Sequence, residues 1–265
     1  MTNNLVVVLT GTITPSKGAK PLRNNPELRR NDYLRALEFW LNVDDPRLNK
    51  IVFLENSMAD LADFADLVQS INPYRKQVEF VSTQSREIPA GIQYGWGELQ
   101  MLDEGLMKSR LVAESTHFLK VTGRLTFPNI KRLLDRMPWD FDALVECRIP
   151  LSEIRYGMAL IPAILERRAA YASTQLAFFR TEIYKNHFIG LYQRMKAYTR
   201  SGIMEYVVYE RLKEFENELK IYWRFPVNCD PVGIGANYER NYQSIQKRAI
   251  QIIRAMLRPF NSIWI

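Results

Sequence analysis

Asp140 and Asp142 stand at the spacing with which two carboxylates share a divalent cation with phosphate oxygens. The pair precedes a strand, however, so it belongs at the opposite sheet edge from a ligand site, and a polar turn is the preferred reading. Two glycine pairs suggest nucleotide loops. A dinucleotide fingerprint needs a third glycine three residues after the second; Gln100 follows Gly95 and Gly97 at that place, and Tyr238 follows Gly233 and Gly235. The run from Gly11 to Lys17 follows a strand as a phosphate loop does, but Ser16 replaces the second glycine and Pro15 removes a backbone donor. The chain has two histidines, His117 and His187, and two cysteines, Cys147 and Cys229. They have neither the spacing of a zinc site nor a nucleophilic triad pattern, and two cysteines build no disulfide framework.

The elements that must position any such chemistry alternate. The apolar run at 5–9 ends in polar residues as a buried parallel strand does, and strands expected at 51–54 and 78–81 end in polar residues too. Between them, 32–41 and 58–71 carry apolar residues at helical spacing. A helix is expected over 94–109, strands over 118–122 and 141–148, and mainly helix beyond Pro150, at 181–198 and 203–222. The pattern predicts an α/β fold: a mostly parallel sheet flanked by helices, with a helical C-terminal part. Ligands of such sheets bind beyond the carboxyl ends of the strands, which singles out residues 10–12, 55–57, 82–83 and 122–124.

Three groups in this order carry a resemblance: Glu55-Asn56-Ser57, Gly95-Trp96-Gly97-Glu98, and Lys120-Val121-Thr122-Gly123-Arg124 followed by Asn129. The chain resembles bacterial glycosyltransferases of surface-polysaccharide clusters, the O-antigen and capsule class, with a GT-A-like nucleotide-diphosphosugar transferase fold. The likeness spans residues 5–238. It implies transfer of a sugar from a nucleotide-activated donor to a hydroxyl of a glycan or lipid-linked glycan; a non-catalytic nucleotide- or glycan-binding module of the same fold is the alternative.

That resemblance assigns roles. Thr10, Gly11 and Thr12 would meet the donor nucleotide, with Glu55, Asn56 and Ser57 on ribose and base, although ordinary strand-end caps explain the same residues. Gly95, Gly97, Glu98, Lys120, Thr122 and Gly123 are expected at the substrate. Metal-dependent relatives carry an acidic Asp-x-Asp motif where this chain has 120–124, so Arg124 is expected to neutralise the leaving diphosphate in place of a metal; a salt bridge to Glu98 is equally open. A divalent cation (Mg or Mn) is possible and not favoured. Arg30, with Lys17 or Lys20, is expected to close over phosphate at a helix start. Glu205, among apolar and aromatic neighbours, is the expected general base, with an exposed helical glutamate as the plain alternative.

The net charge of +7 is local: six basic and two acidic residues lie between Ser16 and Arg35, and five basic and none acidic from Arg240 to Ile265. This distribution argues against a nucleic-acid-coating face. The chain is read as a transferase domain at 1–239 and a basic amphipathic tail at 240–265. In the tail, Ile245, Ala249, Ile252, Met256 and Phe260 form a stripe among Lys247, Arg248, Arg254 and Arg258, with Trp264 near the end. Such a helix either lies on an anionic membrane or packs on its own domain with its basic residues outward; the second is the preferred reading. With no signal-peptide pattern and a longest apolar stretch, 156–165, too short to span a bilayer, a cytoplasmic protein is expected, peripheral on the inner face of the membrane if the tail binds lipid.

Overall fold

Strand β1 (Leu5–Gly11) is buried along its whole length, and its alternating side chains enter two different cores. The computed structural model describes residues 4–16, 21–84, 87–149, 170–235 and 245–258. Lys17, Lys20, the stretch 156–165, Phe260 and Trp264 lie outside them, as do the side chains of Lys247, Arg248 and Ala249.

Helix α1 (Pro26–Asn42) follows, then β2 (Lys50–Glu55), α2 (Ala62–Ser70), β3 (Gln77–Ser82), α3 (Gly95–Lys108), α4 (Arg110–Ala113), β4 (His117–Thr122) and α5 (Ile130–Arg136). Strands β5 (Ala143–Arg148) and β6 (Tyr171–Arg180), helices α6 (Thr181–His187) and α7 (Met204–Glu214), strand β7 (Ile221–Tyr222) and helix α8 (Ile245–Leu257) complete the described chain. The sheet order is β3-β2-β1-β4-β6-β5-β7. All neighbours run parallel except β6, which is antiparallel to both β4 and β5. On one face Val6 and Val8 meet Leu99, Leu102 and Leu106 of α3 and Val207 and Leu212 of α7. On the other, Leu5, Val7 and Leu9 meet Leu37, Trp40 and Leu41 of α1 and Leu133 and Leu134 of α5.

Three differences from the sequence reading have local causes. Helix α1 begins six residues before Asp32, because the Asn25 side chain accepts from the Glu27 and Leu28 amides and Pro26 needs no donor of its own. The predicted helix at 181–198 stops after His187; Gly190 adopts φ +83°, which ends the turn, and a short 3-10 helix follows at Leu191–Arg194. The helix expected over 203–222 ends at Glu214 and the chain returns as β7.

Among the described residues beyond Pro150 helices predominate, as expected, but a ten-residue strand that the sequence reading did not place precedes them. Strand β6 enters the sheet between β4 and β5, its register slipping between Val145↔Ala177 and Glu146↔Ser173. Beside this bulge the Thr174 carbonyl accepts from Lys120 Nζ of β4.

Candidate functional site

Parallel strands leave their last carbonyls and the following loops at one sheet edge, and the cleft of this fold opens there. Its volume is about 640 Å³, open mouth included. Thr10 and Thr12 enter it from β1 and its loop, Asn56 from β2, Gly97 and Glu98 from α3, Thr122 and Arg124 from β4 and its loop, and Arg29 and Tyr33 from α1. Residues Pro15, Ser16 and Pro21 line it as well.

The centre is a buried ion pair. Thr10 Oγ1 donates to Glu98 Oε1 at 2.7 Å, and Lys120 Nζ lies 2.6 Å from the same oxygen. Lys120 also donates to Thr122 Oγ1 (3.2 Å) and to the Thr174 carbonyl beside the β6 bulge. The pairing Val8↔Lys120 and Thr10↔Thr122 puts these side chains on one face of the sheet, because residues two apart share a face. Burial alone raises the Glu98 carboxyl, yet the Lys120 charge, its hydrogen bond, the Thr10 hydroxyl and the Arg124 charge outweigh it and hold the group below the usual range.

Glu205 has the opposite bias. Burial raises its carboxyl and the Glu98 charge adds to this, against the helix backbone, Lys120 and the Thr174 hydroxyl. It lies close enough to feel the pair but lines neither the cleft nor the small apolar pocket behind Glu98 and Lys120.

Two guanidinium groups face the cleft with no carboxylate bonded to either among the described residues. Arg29, 4% exposed, donates to the Thr12 carbonyl (2.6 Å), the Arg23 carbonyl (3.1 Å) and the Tyr33 hydroxyl (3.0 Å), all neutral acceptors. Burial lowers its pKa, and the charge of Arg124 pushes the same way. Arg124 donates through Nε to the Ile234 carbonyl at 3.1 Å. The expected alternative for Arg124, a salt bridge to Glu98, is taken by Lys120.

Several expected contacts are built otherwise. Arg30 points away from the cleft to α2, where it pairs with Asp63 (2.6 Å) and donates to the Asp60 carbonyl (2.8 Å). One residue along a helix is a rotation of about 100°, so its neighbour Arg29 takes the place in the cleft. Glu55 is fully buried and accepts from the Ile13, Ser57 and Ala59 amides and the Ser57 hydroxyl, which leaves it no role toward ribose. Ser57 is engaged there and with the Thr14 amide (3.0 Å), and does not line the cleft. Gly11 and Gly123 serve packing, since a Cβ at either would sit 2.8 Å from Phe53 or 2.7 Å from the Thr10 carbonyl. Gly95 lets α3 approach α7, with Met204 Cβ 2.6 Å from where its own would be, whereas Gly97 opens on the cleft. Asp140 and Asp142 sit at the far sheet edge, held by Lys220, by Tyr222 (3.1 Å) and by Arg180 (3.2 Å).

Arg29, Tyr33 and Thr174 are the site residues that the sequence reading missed. The first two stand at i and i+4 on α1, a signal that points to a shared face without saying what the face meets.

No protein-family model and no curated protein matches the chain. Among solved structures, the bifunctional glycosyltransferase WbbM in its apo form matches with TM-score 0.51 at 10% identity, over 84% of this chain and 39% of that one. The fold is GT-A-like. Galactosyltransferase LgtC in complex with donor and acceptor sugar analogues is similar with TM-score 0.46 at 9% identity, over 82% of this chain and 72% of that one. A 4-diphosphocytidyl-2C-methyl-D-erythritol synthase from Anaerococcus prevotii has TM-score 0.46 at 9% identity, over 96% of both chains. At such identities the likeness describes the GT-A-like framework, and chemistry must be argued from the cleft.

Proposed function

We propose that this chain is a glycosyltransferase that moves a sugar from a nucleotide-activated donor to a hydroxyl of a bacterial surface glycan, of the O-antigen, lipopolysaccharide or capsule type. The observation that carries the reading is the pair Arg29 and Arg124 facing one cleft at the carboxyl edge of a GT-A-like sheet. Two guanidinium groups bonded to neutral acceptors suit a diphosphate: Arg124, held through Nε, can present its terminal N–H groups, and Arg29, held through all three nitrogens, adds its charge and its remaining N–H groups. The surface-glycan acceptor rests on the order of the three sequence motifs.

In the reaction the acceptor oxygen attacks the anomeric carbon, the bond from that carbon to the phosphate oxygen breaks, and the nucleoside diphosphate leaves with the electron pair. Arg29 and Arg124 stabilise the charge that develops on it. Glu205, which lies near the Glu98–Lys120 pair and off the cleft wall, is assigned the acceptor proton; its raised pKa, set against the lowered pKa of Glu98, supports the role, which requires the acceptor hydroxyl to reach it past that pair. A divalent cation fits the cleft poorly: Glu98 is the one carboxylate among the described lining residues, and Lys120 engages its oxygen. No step is assigned to a metal.

The tail is read as a peripheral membrane contact. Arg258 turns inward to Glu146 (2.9 Å) and Arg254 to Asp230 (3.9 Å), so Ile245, Ile252, Ile253 and Met256 stand outward, 49–87% exposed. The helix meets its own domain, as the preferred reading has it, but Arg254 and Arg258 face inward where basic residues were expected outward. An apolar face on a segment without acidic residues suits an anionic bilayer, where a lipid-linked acceptor would lie. No described helix is long and apolar enough to cross a membrane.

A thermal-shift screen with UDP, GDP, CMP and dTDP, in EDTA and in magnesium or manganese, tests the nucleotide reading. One nucleotide is expected to raise Tm by roughly 5–10 °C at a hundredfold excess over Kd, in EDTA as in metal. No shift with any of them rejects the proposal. With the donor so identified, Glu205→Gln should lower transfer at least about 100-fold; undiminished transfer removes Glu205 from its role.

A further inference from the structure

Glu98 is the one carboxylate among the described residues that line the cleft, and it does not suit a phosphate. Among the described residues both of its protein contacts fall on Oε1, from Thr10 at 2.7 Å and Lys120 at 2.6 Å, which leaves Oε2 to the cleft. Its side chain keeps 18% exposure while that of Lys120 keeps 4%. The lysine is therefore the buried half of the pair and the carboxylate the presented half. The Thr174 carbonyl and the Thr122 hydroxyl hold the ammonium from behind, and Gly97 beside it keeps the approach clear of a side chain.

Charge then sorts the parts of a ligand. A diphosphate is drawn to Arg29 and Arg124 and repelled by Glu98. What an ionised carboxylate accepts is the hydroxyl group, and two adjacent hydroxyls can share its oxygens. Resting on the nucleotide-sugar reading above, we propose that Glu98 binds hydroxyls of the sugar being transferred and makes the site specific for a donor sugar that carries them. Lys120 is a positioning residue that keeps this carboxylate oriented. A site built to bond a hydroxyl discriminates strongly against an analogue that lacks it, because the buried acceptor is then left unsatisfied.

The test is calorimetric titration of the full chain with each nucleoside diphosphate and its hexose conjugates. Glu98→Gln is expected to weaken the conjugate by about 10- to 100-fold and to leave the bare nucleotide within about twofold. Deoxy-sugar conjugates should lose affinity in the wild type and lose little more in the variant. Equal loss for nucleotide and conjugate, or no loss for either, overturns the proposal. Because Glu98→Gln leaves a buried ammonium without its counter-ion, Glu98→Gln with Lys120→Met is measured too. The same selective loss supports the proposal, and recovered conjugate affinity overturns it by reducing Glu98 to a counter-ion. If the wild type binds no nucleotide, the glycosyltransferase reading fails first and this inference falls with it; if nucleotide binds and the selectivity is missing, this inference alone fails.

Discussion

Arg29 and Arg30 are chemically identical neighbours with opposite fates, and each predicts a different response to truncation. Arg30 and Asp63 form a partly exposed pair, 29% and 40% accessible, so Arg30→Ala should change stability by less than about 1 kcal/mol and leave nucleotide affinity alone. Arg29→Ala should weaken the nucleoside diphosphate by about 1.5–3 kcal/mol, seen by calorimetry. Equal effects from the two variants would contradict the assignment of Arg29 to the cleft. Asp103 makes a prediction of another kind. It is 6% exposed, accepts from the Gly190 amide at 2.8 Å, and burial pushes its pKa up to about 7. Between about pH 4 and pH 7 the folded chain keeps a proton that the unfolded chain has released, so stability falls as pH rises, by up to about 1.4 kcal/mol per unit. Urea unfolding from pH 4 to 8 should show this slope, and Asp103→Asn should remove it. The motif order marked Glu98, Thr122 and Arg124 as candidates, but the choice of Lys120 over Arg124 as the partner of Glu98 depends on two strands and a helix meeting, which no spacing encodes.

Helix α3 carries two glycines with separate duties. A Cβ on Gly95 would stand 2.6 Å from Met204 Cβ, so Gly95→Ala should push α7 away and destabilise the fold by about 1–3 kcal/mol. Nothing lies nearer than 4.0 Å to a Cβ on Gly97, so Gly97→Ala should keep or slightly raise Tm through its better helix propensity. It should also weaken ligand binding, because the new methyl enters the cleft. Thermal melts with titrations distinguish the two; matching losses of stability would show that Gly97 packs as Gly95 does. The elements themselves were unequally legible. β1, β2 and β4 show in the sequence as largely apolar stretches ending in polar residues, since these central strands are covered on both faces, and β3 shows by its Val and Phe although it is a half-buried edge strand. β6 was missed because its antiparallel place between β4 and β5 is set by partners distant in sequence, and its Ser173 and Thr174 are buried without being apolar.

Across the whole molecule the basic excess has two settings. The segment from Ser16 to Arg35 supplies Arg29 to the cleft, and the tail supplies Arg254 and Arg258 to the domain surface. Glu146, 3% exposed, receives Arg258 together with the Phe225 amide at 2.9 Å and has Arg148 at 4.0 Å, so Arg258→Met should cost about 1–2 kcal/mol in urea unfolding, the lost charged hydrogen bonds being partly replaced by those partners. Replacing Ile252, Ile253 and Met256 with Ser should leave stability within about 0.5 kcal/mol, because all three are exposed. It should, however, abolish co-sedimentation with anionic vesicles; retained sedimentation would rule out this face as the lipid contact.

Local periodicity alone determined the α/β alternation, the sheet edge where a ligand belongs, and the rejection of the two glycine fingerprints, since each depends on residues a few positions apart. Tertiary structure decided which arginine enters the cleft, which cation holds Glu98, where β6 inserts and which way the tail helix faces. Those outcomes follow from helix phase, strand register and the partners available to buried charges, and all three are settled through space between segments far apart in the chain.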